Sequence, residues 1–185
     1  MELYFFRHGR TMPRSEWSGE SGMRPLSDDS AVAVAHEAWV LARLGVRPDL
    51  ILTSPVERAL QTAGILASGL GLEDRLRTEA SLAPGFGMKK LRRLLRAHPD
   101  AGSIMLVGHG PDLCTVVRKL TGGQVVLSRG GLAHVHFAAR KSASAELVCL
   151  LQAGELAGLG TSSAPNGRPG EVAGQRKGDD TGESA

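Results

Sequence analysis

Only two cysteines, Cys114 and Cys149, occur in 185 residues, and neither belongs to a CxxC pair or another recurring metal spacing. A disulfide framework and a zinc site therefore lack support, and both thiols are expected reduced and buried. Aromatic residues make up only 4% of the chain. Basic residues without interleaved aromatics make a poor case for nucleic-acid binding. No stretch approaches about 18 uninterrupted apolar residues, and the chain opens on a strand pattern rather than on a basic segment before an apolar one. No membrane span or secretory signal is expected, and the cytoplasm is the expected location. No internal repeat is visible beyond an echo between two histidine-bearing strand ends.

What is present suffices for one domain, since 42% of the residues are hydrophobic. The chain changes character near Gly154, after which 32 residues hold eight glycines, no aromatic residue and polar runs such as Gln175-Arg176-Lys177-Gly178-Asp179-Asp180. Residues 1–153 are thus expected to fold, and residues 154–185 to form a disordered tail. The tail carries a net charge of −2 against +3 for the whole chain, which leaves about +5 on residues 1–153. A modestly basic domain suits an anionic, phosphate-sized target.

Helical and strand patterns alternate through that domain. Strands are expected near 2–7, 49–53, 76–80 and 103–107, with helices near 28–44, 56–70, 87–97 and 111–121. Two further strands near 131–137 and 145–151, separated by Lys141-Ser142-Ala143-Ser144, read as an antiparallel hairpin at one side. The fold class is α/β: a three-layer α/β/α sandwich around a mostly parallel sheet with an antiparallel edge.

The apolar run Leu3-Tyr4-Phe5-Phe6 delivers Arg7-His8-Gly9 at its end, and a second run delivers Gly108-His109-Gly110 about a hundred residues later. Carboxyl ends of parallel strands at a switch point of the sheet display ligand-binding and catalytic groups, so both histidines are expected in one pocket. Between them, Thr53-Ser54-Pro55-Val56-Glu57-Arg58 reads as a strand end, an N-capping serine and a proline at the first helical position. Arg58 then falls in the first helical turn, unfavourable against the helix dipole unless an anion lies nearby. Taken alone it would read as a solvated surface arginine.

These segments resemble the histidine phosphatase, or phosphoglycerate mutase-like, superfamily. The resemblance rests on Arg7-His8-Gly9, on Ser54-Pro55 followed by Arg58 and Gln61-Thr62-Ala63, and on Val107-Gly108-His109 followed by Pro111, and covers about residues 1–150. An RHG tripeptide alone is a weak motif; three motifs in order are strong. The short SixA-type phosphohistidine phosphatases share the compact chain, an Arg-Pro-Leu segment (Arg24-Pro25-Leu26) and a Leu-x-Pro-Gly turn (Leu82-Ala83-Pro84-Gly85).

The resemblance implies a phosphoglycerate mutase-like fold and a covalent mechanism needing neither metal nor cofactor. His8 would attack phosphorus and carry the phosphoryl group, while Arg7, Arg58 and protonated His109 would hold its oxygens. Arg24 would be a fourth cation, and Gly9 would let the backbone approach the phosphate. Larger relatives insert a helical cap that supplies an acid; here that interval is about fifty residues, which implies an open site suited to a phosphorylated protein, such as a phosphotransfer domain. Glu79 is the nearest candidate donor, with Ser81 closer to the turn. Asp28-Asp29-Ser30 in place of a glycine implies a changed helix start, and Gly110, where a bulkier residue often stands, implies a wider pocket floor.

The remaining histidines read as structural: His36 in a helix, His98 at a helix end, and His134 and His136 on one strand face with no acidic residue or cysteine expected nearby to complete a metal set. Lys89 to Arg96 reads as a helix with leucines inward and cations outward, a solvated face able to help dock an acidic partner. The sequence thus points to a phosphohistidine phosphatase. A phosphomonoesterase acting on a small substrate with the same His8 chemistry is the runner-up, followed by a noncatalytic phosphate-binding module.

Overall fold

The computed structural model describes residues 1–159. Its strands are β1 (Glu2–Arg7), β2 (Leu50–Thr53), β3 (Leu76–Thr78), β4 (Ser103–Gly108), β5 (Leu132–His136) and β6 (Glu146–Leu151). The helices among the described residues are α1 (Asp28–Arg43), α2 (Glu57–Leu70), α3 (Met88–Ala97), α4 (Gly110–Thr121) and α5 (Ala153–Leu159). Together the strands make one sheet in the order β3-β2-β4-β1-β5-β6. The first four strands run parallel, whereas β5 pairs antiparallel with β1, and β6 with β5. The expected mostly parallel sheet with an antiparallel edge is therefore present.

Alternate residues of the central strands enter two separate cores. Leu3 and Phe5 of β1, Leu52 of β2 and Ile104 and Leu106 of β4 pack with leucines of α3 and α4 on one face. Phe6, Ile51, Met105 and Val107 pack with α1, α2 and Leu156 of α5 on the other. Burial on both faces explains why β1 and β4 read as unbroken apolar runs rather than as polar-apolar alternation. It also makes the domain a three-layer sandwich.

Helix α1 starts on Ser27, whose side chain accepts from the Ser30 amide at 3.4 Å, with Asp28 and Asp29 in the first turn. The two aspartates complement the helix dipole, so the start differs from a glycine entry without losing its cap. The Ser54 expectation does not hold. Helix α2 begins at Glu57 after Val56, which contributes no capping side chain; Ser54 is committed elsewhere. The two cysteines are free but only half-buried, short of the full burial expected.

A second difference lies at residue 153. Residues 154–159, expected in the disordered tail, are part of α5. Gln152 and Glu155 form a reciprocal cap: the Glu155 carboxylate accepts from the Gln152 amide at 2.8 Å, and the Gln152 carbonyl accepts from the Glu155 and Leu156 amides at 3.0 Å. Leu156 is wholly buried, a gain of about 2 kcal/mol. One buried leucine and a cap outweigh the glycine-rich composition around them. The remainder of the expected tail, residues 160–185, lies outside the described residues. No helix among the described residues is long and apolar enough to cross a membrane.

Glu37 of α1 is only 2% exposed and one of its carboxylate oxygens has no hydrogen-bond partner. Its carboxyl faces Gly130, where φ is +82° and an added Cβ would lie 2.5 Å from Glu37 Oε1. Burial pushes the Glu37 pKa up to about 8 from 4.5. The folded chain therefore keeps a proton that the unfolded chain releases above pH 4.5, and the associated stability is lost as pH rises through the folded value. The slope is at most about 1.4 kcal/mol per pH unit. Glu37→Gln should flatten this dependence: urea midpoints of wild type should fall relative to the variant between about pH 5 and 8, and a parallel course would disprove the assignment.

Candidate active site

Parallel pairing sets Arg7 of β1 opposite Gly108 of β4, so the next residues on the two strands are His8 and His109. The His8 amide donates to the Gly108 carbonyl at 3.0 Å, and the two imidazole rings meet edge to face with centroids 5.3 Å apart. Both rings are nearly buried, at 7% and 6% exposure. They open on one cavity of about 380 Å³, whose wall also includes Arg7, Arg24, Arg58 and Arg129.

The protonation of His8 follows from its partners. Nδ1 lies 2.7 Å from the Gly9 carbonyl, which can only accept, so the proton sits on Nδ1. Nε2 accepts from Arg58 Nε at 3.2 Å, so its lone pair faces the guanidinium. Burial, aided by Arg58, His109 and Arg7, pushes the His8 pKa down to about 3 despite the Gly9 bond. At neutral pH the ring is uncharged, with its Nε2 lone pair available.

His109 is held from both sides. Ser54 Oγ is 2.9 Å from Nε2, and Arg58 Nη2 is 3.5 Å from Nδ1. Ser54, wholly buried, also accepts from the Val56 amide at 3.3 Å, which explains why it orients the histidine rather than capping α2. Burial, then Arg58, pushes His109 down to about 4, with Asp112 opposing. The expected protonated His109 is therefore neutral at neutral pH in the unliganded site, because burial and then the Arg58 charge disfavour the imidazolium.

Arg58 bridges the two histidines and also reaches the Ser21 carbonyl at 3.4 Å, so it is no solvated surface arginine. Its helix is tied to the neighbouring loops by the rest of the motif. Thr62 Oγ1 donates to the Arg58 carbonyl at 2.6 Å and accepts from the Gly9 amide at 3.1 Å. Gln61 Oε1 accepts from the Leu26 amide at 2.8 Å. Arg24 lines the cavity with its buried Nε unpartnered; burial, and then the Arg24 charge, lowers the pKa of Arg58.

Two glycines act differently from expectation. Gly9 is absent from the cavity wall, and an added Cβ would lie 2.5 Å from Ser30 Oγ; the glycine lets the loop pack on α1. At Gly110 an added Cβ would sit 2.2 Å from Arg7 Nε. The Arg7 guanidinium fills the space that a side chain would occupy, so the pocket floor is not widened. Arg7 Nη1 is anchored on the Leu127 carbonyl at 2.6 Å.

The acidic residue on the cavity wall is Asp112, not Glu79. Glu79 instead accepts from the Ser81 amide at 2.8 Å, because it caps a short 3-10 turn. Asp112 Oδ2 accepts from the Gly85 and Phe86 amides at 2.8 and 3.3 Å and latches the Leu82-Ala83-Pro84-Gly85 turn to α4. Its place in the first turn after His109 was the available signal. His134 and His136 also have an unexpected partner: each spends a ring nitrogen on one oxygen of Glu2, at 2.6 and 2.5 Å, because β1 and β5 pair. Among the described residues no group of three or more potential ligands could hold a metal ion.

An anion among these arginines depends on where Arg7 lies. Gly110→Ala should displace its guanidinium and weaken inorganic phosphate binding by about 10-fold or more in calorimetric titration, with circular dichroism unchanged. Unaltered phosphate affinity would show that Arg7 does not need that space.

Comparisons with known proteins agree with the sequence motifs and the fold. Residues 3–83 match the model of the histidine phosphatase superfamily (branch 1). An uncharacterized protein of Picosynechococcus sp. (strain ATCC 27264 / PCC 7002 / PR-6) is 39% identical over 127 residues, 67% of this chain and 75% of that protein. Among solved structures, the protein histidine phosphatase SixA complexed with tungstate superposes with a TM-score of 0.75 at 21% identity, covering 84% of this chain and 99% of that one. The alpha-ribazole phosphatase from Shigella flexneri gives 0.64 at 18% identity, covering 83% and 97%. Ordered motifs, shared fold and paired strand-end histidines lead to one assignment: the chain belongs to the histidine phosphatase superfamily.

Proposed function

We propose that this phosphatase removes phosphate from phosphohistidine on a protein, without a metal ion, through a covalent intermediate on His8. The observation that carries the reading is the His8 ring itself, with its proton held on Nδ1 by Gly9 and its Nε2 lone pair turned toward Arg58. Nε2 attacks phosphorus while the bond from phosphorus to the substrate imidazole breaks, and the displaced nitrogen takes a proton from solvent. Water then attacks phosphorus, the bond to His8 breaks, and orthophosphate leaves with release of a proton. Arg7, Arg24 and Arg58 position the phosphoryl oxygens and offset their charge. A bound dianion also offsets the cations around His109, letting that ring take up a proton and donate.

Two features favour a protein substrate. The segment between α2 and β4 does not form a lid: α3 buries Leu91, Leu94 and Leu95 in the core, and only Pro84 and Gly85 of that segment line the cavity. The structural neighbour SixA is named a protein histidine phosphatase. A small-ester substrate is favoured by Asp112 on the wall and by the fold shared with an alpha-ribazole phosphatase. Ester cleavage asks for a proton at the leaving oxygen, whereas Oδ2 of Asp112 is already engaged by two amides of the Leu-x-Pro-Gly turn. Phosphohistidine, whose imidazole departs without strong protonation, suits the site better.

Phosphate release should be compared, with EDTA present, between a phosphohistidine-bearing phosphotransfer domain and a panel of phosphomonoesters. Faster turnover of phosphohistidine, reduced about 1,000-fold or more by His8→Ala, is the expected result. Preference for an ester would shift the assignment to small-molecule hydrolysis. Phosphate binding without turnover would favour a noncatalytic module.

A further inference from the structure

Arg129 takes no part in the chemistry above, yet it lines the cavity that holds His8 and His109. It also lines a second cavity of about 570 Å³ that includes Arg10, Asp29, His36 and Glu37. One residue therefore stands on the boundary between the two spaces.

The backbone beneath it is pinned. Gly130 donates to the Arg7 carbonyl at 3.0 Å, Arg7 donates to the Gly131 carbonyl at 3.0 Å, and Gly131 donates to the Ser128 carbonyl at 3.0 Å. Gln152 Oε1 accepts from the Ser128 amide at 2.7 Å, tying the turn to the start of α5. The side chain itself is exposed. Among the described residues no hydrogen bond or ion pair reaches its guanidinium, and its charge acts on Arg7 as an unfavourable like charge. A cation held on a rigid turn beside other cations, with no counter-ion, is an arrangement that an incoming anion relieves.

The transferred phosphoryl group does not require it, because Arg58 already hydrogen-bonds His8 and reaches His109, and Arg7 acts on His8 electrostatically. We propose that Arg129 is a specificity-determining residue, holding a second anionic group of the substrate, such as a carboxylate flanking the phosphorylated residue, while the phosphoryl group occupies the histidine cavity. The inference rests on the phosphatase reading, and in its protein form on the phosphohistidine reading. Arginine suits the role because its planar fork grips a carboxylate in two places.

The test uses the full chain and two substrate pairs. One pair is phosphohistidine peptides with aspartate or alanine beside the phosphorylated residue; the other is 4-carboxyphenyl phosphate and phenyl phosphate. Wild type should prefer the carboxylate-bearing peptide by about 10-fold in kcat/KM, the difference lying in KM and shrinking at high salt. Arg129→Ala should reduce that ratio to near 1, Arg129→Lys should keep part of it, and Arg129→Glu should favour lysine-flanked peptides. An Arg129-dependent ratio seen only with the esters would keep the second-anion role while refuting the phosphohistidine reading. The inference is overturned by no carboxylate preference in either pair, or by variants that lower every rate equally.

Discussion

Parallel pairing of β1 with β4, in the register that sets Arg7 opposite Gly108, is the constraint on which the rest of the site depends. It places two strand ends side by side at the switch point of the sheet, where β1 also meets antiparallel β5. A one-residue slip would exchange the two faces of a strand whose residues alternate between separate cores, and would bury the wrong set. The large apolar burial that holds the sheet together thus also sets the His8 to His109 distance. Stability and the geometry of the histidine pair are secured by the same contacts.

Around that pair the electrostatics are one-sided. Four arginines and two histidines line the cavity with a single carboxylate, Asp112, whose Oδ2 accepts amide bonds from the Leu-x-Pro-Gly turn. Burial and neighbouring cations keep both imidazoles neutral, which is what a nitrogen nucleophile needs. The same field favours an anion with several oxygens and disfavours a bound cation. The protein bears the unfavourable proximity of like charges in its folded state, which an incoming anion would relieve.

Volume constraints at two glycines position the cations. Gly110 leaves room for the Arg7 guanidinium, and Gly130 leaves room for Glu37 while its amide holds the Arg7 carbonyl. Because the Ser128 to Gly131 turn rests on α1 on one side and on Gln152 on the other, the second helical layer supports Arg7 and Arg129 from behind. The active-site face and the core of the α1 side are therefore mechanically joined.

The order of strands and helices was legible in the chain because each element carries its own periodicity, and the doubly buried strands announce themselves as apolar runs. His8, Arg58 and His109 were legible through motif context. The function of Ser54 was misread because its capping signal is local, whereas its bond to His109 spans 55 residues. Glu79 reads as the candidate acid because it stands close to the Leu-x-Pro-Gly turn in sequence, while Asp112 lies on the cavity wall in the first turn of α4, directly after His109. Helix α5 was missed because composition averages over a window and cannot weigh one buried leucine with its cap. The sequence alone determined the α/β class, the strand-end histidines and the basic balance, since these follow from local pattern and residue chemistry. Tertiary structure alone decided which side chain meets Nε2 of His8, why Gly110 must be small and which side chains share the cavity. Those properties arise from residues far apart in the chain, whose distances are set only when the sheet and its two helical layers pack.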